Sequence, residues 1–83
     1  MNLSKRDVEK NYISIVNKHK RAEDILIKFL GLEGQSVRAR NTGHTGKLTH
    51  LQITNEDFYY VIKDNGGARA LYVSAAEGVI PVN

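Results

Sequence analysis

The stretch NTGHTGKL, Asn41–Leu48, has the outline of a phosphate-binding loop, and whether it is one decides the fold. Such a loop reads G-x-x-x-x-G-K-[ST] between a strand and a helix. Its backbone amides and lysine wrap phosphates at the helix start, and its hydroxyl holds magnesium. Setting Gly46 and Lys47 in register puts Asn41 at the first glycine and Leu48 at the hydroxyl. The chain continues as LTHLQI, Leu48–Ile53, a run rich in β-formers that starts no helix. A chain of 83 residues is also too short for the parallel α/β sheet that normally carries such a loop. The nucleotide reading fails. The same glycines make a tight turn between two strands, where Gly43 and Gly46 are free to take positive φ.

Downstream of this turn the pattern has period two. Strands are predicted at Val37–Asn41, Lys47–Thr54, Phe58–Lys63, Arg69–Ser74 and Val79–Val82. DNGG, Asp64–Gly67, is the strongest turn signal in the chain and joins the third strand to the fourth as a hairpin. TNED, Thr54–Asp57, turns between the second and third, and AAEG, Ala75–Gly78, is a tight connection of one helical turn. Five short strands joined this way predict a small closed or nearly closed barrel.

Upstream, Ser4 to Leu30 contains neither Gly nor Pro, so nothing punctuates a helix. Ser4 followed by Asp7 reads as an N-cap with an acidic group in the first turn, and Gly31 or Gly34 serves as the stop. Val8, Tyr12, Ile15, His19, Ala22, Leu26 and Phe29 are spaced alternately by four and three, the seam of a coiled coil or helical hairpin. Ile13, Ile25 and Ile27 lie off that seam, and some of them widen the apolar face. A continuous helix would extend ~40 Å at ~1.5 Å per residue, more than so small a barrel can cover. Either the helix breaks near NKHKR, Asn17–Arg21, or part of the seam meets another molecule, a second copy included. The expected architecture is α+β. An N-terminal amphipathic helix or helix pair (residues 1–33) precedes a five-stranded antiparallel β-barrel (residues 34–83), the two forming one compact domain.

Composition narrows the function classes. Hydrophobic residues make up 41% and charged residues 25%, a globular balance. No apolar run approaches the ~20 residues that span a bilayer, and no signal-peptide core lies near Met1. Cysteine is absent, which excludes disulfides and thiolate metal sites and makes a reducing cytoplasm the expected location. The net charge of +3 is uneven: residues 1–55 carry the excess of Lys and Arg, while residues 56–83 are net acidic. Such asymmetry points to a polyanionic partner or a solubilising surface.

The segment GQSVRARNTGHTGKLTHLQ, Gly34–Gln52, resembles the KOW motif that opens small Src-homology-3-like barrels. The shared features are Gly34, the apolar Val37 between polar residues, the Gly43/Gly46 pair, and Leu48 followed by Leu51. FYYVIKDNGGARALYVSAAEGVIPV, Phe58–Val82, looks like the remainder of such a barrel. The resemblance covers residues 34–83 and implies contact with RNA, DNA, or ribosomal and transcription proteins.

Candidate chemistry is sparse. No Ser sits in a G-x-S-x-G elbow, and His19, His44 and His50 are scattered. His44 and His50 can face one another across the first hairpin, yet two imidazoles without a carboxylate make a poor metal site. The expectation is a non-enzymatic protein with no cofactor and no metal. Arg38 and Arg40 alternate with Val37 and Ala39, and His44 and Lys47 extend from the following loop, so with Arg69 they form the candidate nucleic-acid surface. Pairing of Arg38 and Arg40 with Glu56, Asp57 or Glu77 is the competing reading. In the Phe58–Ile62 run, alternation sends Phe58, Tyr60 and Ile62 to one side and Tyr59 and Val61 to the other, exposing one tyrosine for stacking or for a partner's pocket. Arg6, Lys10, Arg21 and Lys28 lie opposite the seam, where Glu23 and Asp24 dilute them into a solvated face. The first expectation is therefore nucleic-acid or nucleoprotein binding. The second is an adaptor or inhibitor acting on a protein of the transcription, translation or defence machinery, of the kind small phage and mobile-element chains supply. Its docking residues would be Tyr12, His19 and Leu26 on the helix and Tyr59 on the barrel.

Overall fold

The computed structural model describes residues 2–55, 57–64 and 69–82. The chain begins with a two-residue strand, β1 (Asn2–Leu3), followed by three helices: α1 (Lys5–Lys10), α2 (Tyr12–Lys18) and α3 (Ala22–Leu32). Five further strands complete it: β2 (Ser36–Ala39), β3 (Thr45–Thr54), β4 (Asp57–Lys63), β5 (Ala70–Ser74) and β6 (Val79–Pro81). The fold is α+β, with one antiparallel sheet in the order β5-β4-β3-β2-β6 and β1 added beside β3.

The helical segment breaks. Ser4 and Asp7 form a reciprocal capping box that starts α1, as their spacing predicts. At Asn11 the backbone leaves helical geometry briefly, and the Asn11 side chain donates to the Asp7 carbonyl. The decisive break comes at His19, whose extended backbone ends α2 within the NKHKR run. α3 then packs back along α1 and α2 as a hairpin. Gly34, at φ +84°, takes the chain out of α3 toward the sheet, a conformation that suits glycine.

This hairpin explains where the seven-residue seam goes. Val8, Ile15, Ala22, Leu26 and Phe29 are buried in one cluster with Leu48, Leu51, Phe58, Tyr60 and Ile62 of the sheet. Tyr12 packs against the same cluster, half-buried. The stripe is satisfied within the chain, which removes the reason for expecting a second copy on it. Among the described residues, no helix is long and apolar enough to cross a membrane.

The sheet departs from the expected barrel in two ways. It has six strands, because Asn2 and Leu3 pair with Gln52 and Leu51. It is also open, with β5 and β6 as its edges. The helical hairpin covers its inner face, so the core is buried without closure. The DNGG turn expected at Asp64–Gly67 lies mostly outside the described residues, as does Glu56 of the TNED turn. The AAEG connection is one helical turn, with the amides of Glu77 and Gly78 both donating to the Ser74 carbonyl.

Two details set the sheet's register. Leu48 and Leu51 are three apart, yet both are buried; a bulge at Thr49 makes this possible by restoring the inward phase. The Thr49 hydroxyl donates to the Val61 carbonyl and fixes the bulge in place. Gly46, expected to use positive φ, serves a different need. A Cβ there would run into the Lys63 carbonyl oxygen and the Ile62 Cγ2, and would lie 2.9 Å from the Lys63 carbonyl carbon. Backbone cannot yield as a side chain can. Gly46→Ala is expected to lower stability by roughly 2–3 kcal/mol, read as a lower urea midpoint at unchanged slope.

Tyr60 points inward, and burial pushes its phenol up from 10.0 to about 12. The neutral form is therefore favoured in the folded chain. The stabilisation is complete below pH 10 and is lost as pH rises toward 12, at about 1.4 kcal/mol per pH unit. Denaturant titrations between pH 9 and 11.5 should show this decline in the native chain and a shallower one in Tyr60→Phe.

Candidate nucleic-acid interface

The helical hairpin leaves the other face of the sheet uncovered, and the strand pairings arrange its outward residues in rows. Arg38 lies between Thr45 of β3 and Ile80 of β6. The next row runs Ser36, Lys47, Lys63, Ala70 across four strands. Then come His50, Val61 and Tyr72, and after them Asn2, Gln52, Tyr59 and Ser74. Along each strand, successive rows are ~6–7 Å apart. None of the described residues in these four rows is acidic. Asp57 stands opposite Thr54 at the far end, ~20 Å along β4 from Lys63.

Arg38 and Lys47 are both exposed and share the face, as expected, although Lys47 belongs to β3 itself and not to the loop. Lys63, directly opposite Lys47, is a member of the cationic row that the sequence does not reveal. Its place depends on the Thr49 bulge, to which strand periodicity is blind. Arg40 and His44 are exposed in the loop between β2 and β3. Arg69 lies just before β5, its carbonyl accepting from the Asp64 amide.

The loop itself holds an anion after all. One carboxylate oxygen of Glu77 accepts from the amides of Asn41 and Thr42, at 2.8 and 3.0 Å. Gly43, at φ +79°, lets the turn close with its amide on the Ala39 carbonyl. The resemblance to a phosphate loop thus has a physical basis, with the chain's own carboxylate as the occupant. That bond commits Glu77 to backbone amides. Asp57 is remote from Arg38, and Glu56 lies outside the described residues.

The middle rows supply aromatic surface. Tyr72 is 50% exposed and Tyr59 half-buried, on either side of Val61. Val61 is only 2% exposed although it faces away from the helices, so its row neighbours cover it. Alternation leaves Tyr59 either open or beneath the N-terminal helix; the helices lie on the opposite face.

The residues expected to dock a protein are not brought together. Leu26 is 0% exposed, sealed in the core, and cannot touch a partner in the folded chain. His19 meets the Phe58 ring edge-on, with centroids 5.3 Å apart, and so pins the hairpin turn to β4. No group of three or more potential metal ligands occurs among the described residues. No family model matches the chain, and neither a curated protein nor a solved structure is significantly similar to it.

Proposed function

We propose that this chain is a non-enzymatic, cytoplasmic module that binds single-stranded nucleic acid on the uncovered sheet face. The cationic rows take backbone phosphates, and Tyr72, Tyr59 and His50 offer rings for bases to stack on. The observation that carries the reading is the pairing of Lys47 directly with Lys63 on central strands. Like charges opposite one another weaken a sheet. An external polyanion reverses that cost, and the acid-free rows around the pair leave it nothing internal to do so. The return of β6 beside β2 also supports kinship with Src-homology-3-like and KOW proteins, here in an opened form.

The test is fluorescence anisotropy against short single- and double-stranded DNA and RNA, at low and near-physiological salt. Binding in the micromolar range that weakens several-fold with salt, and prefers single strands, is the expected result. Absence of binding at low salt would overturn the reading and turn attention to a protein partner.

A further inference from the structure

A second concave site lies at the opposite end of the molecule from Lys47. The turn between α2 and α3, the start of β4 and the turn after β5 enclose a cleft of about 540 Å³. On one side stand Lys18, His19, Lys20 and Arg21, four consecutive residues; Asp57 is the acidic residue that lines it among those described. Glu23 and Asp24 come next, in the first turn of α3, but neither lines the cleft. The other walls are apolar or small, formed by Ile25, Phe58 and Ala75.

Four such residues on one tight turn repel one another, and a concave wall concentrates their field more than a convex surface does. Their donor set is also specific. Two ammonium groups, a guanidinium and an imidazole converge on one space, a match for the oxygens of a multiply charged tetrahedral anion. The Asp57 carboxylate disfavours a weakly charged monoanion. α3 begins without a side-chain cap, so its first-turn amides add a favourable field. His19 is held in place by its edge contact with Phe58, which orients the imidazole at the wall.

We propose that this cleft binds a terminal phosphate group, a monoester or diphosphate, with the organic part of the ligand against Ile25, Phe58 and Ala75. Two sources share this chemistry: a free nucleotide, or the phosphorylated end of a nucleic-acid strand. The second is geometrically accessible because Ser74 both lines the cleft and lies beside Tyr59 in the outer row.

The experiment is NMR titration of the full chain with inorganic pyrophosphate, following His19 and the Ser74–Ala76 amides. It is repeated in Lys20→Gln/Arg21→Gln and in Lys47→Gln/Lys63→Gln, with thermal melts confirming that each variant is folded. Saturable shifts at the cleft are expected, weakened at least tenfold in the first variant and unchanged in the second. Failure to saturate at tens of millimolar, or equal binding by the first variant, overturns the site. Because pyrophosphate does not need the sheet face, this outcome is separate from the fate of the nucleic-acid reading. Two further arms identify the source. A nucleoside diphosphate competing with pyrophosphate assigns a small ligand. Tighter binding of a terminally phosphorylated oligonucleotide than of its hydroxyl counterpart, lost in Lys20→Gln/Arg21→Gln, assigns a strand end.

Discussion

Leu26→Asp is expected to leave the chain unfolded in plain buffer. Leu26 is 0% exposed and lies where α3 meets the sheet, in contact with the single core that holds both halves together. Removing a buried leucine side chain alone costs roughly 3–5 kcal/mol, and burying a carboxylate without a partner adds to that. A chain of 83 residues has only about 4–12 kcal/mol to lose. Loss of the helical circular-dichroism signal and of dispersed NMR resonances would be the sign. Ile27→Asp is the control, because its side chain is 56% exposed one position away. It should melt within a few degrees of the native chain. A folded Leu26→Asp variant of unchanged mass would mean that the hairpin is not docked as described.

The second large effect concerns binding. Lys47→Glu combined with Lys63→Glu should weaken single-stranded nucleic-acid binding by about a hundredfold at low salt, if each lysine makes one charge-assisted phosphate contact of ~1.5 kcal/mol. The slope of log affinity against log salt should fall by about 2 at the same time. The single variant Lys63→Glu separates this from damage to the fold. It exchanges a like-charge pair for an opposite pair and should raise stability by a few tenths to 1 kcal/mol while lowering affinity. A variant that gains stability and loses binding cannot be explained by unfolding. Unchanged affinity in the double variant would remove the face from consideration.

The sequence carries the local patterns well and the long-range ones poorly. The seam from Val8 to Phe29 is plain, because helical spacing is a local property. Whether it faces a sheet, another helix or another molecule is not, since that depends on where His19 breaks the helix. The inward set Phe58, Tyr60 and Ile62 follows from alternation alone. By contrast, β1 is two residues long, too short for any periodicity. Lys63 is illegible as a site residue because a lysine's neighbour across a sheet depends on register, and register here turns on one unpaired threonine. The run Lys18–Arg21 is legible as a helix breaker, yet nothing local says that the turn it makes is concave.

The pairing of both chain ends has a kinetic consequence. β1 meets β3 across about fifty residues of sequence, and β6 meets β2 across more than forty, whereas β3, β4 and β5 follow one another directly. Loop-closure entropy makes distant partners slow to find one another. The meander and the helical hairpin are therefore expected to set the folding rate, with β1 and β6 arriving after the barrier. Weakening either end would then shorten the lifetime of the native state and leave the speed of its formation almost untouched.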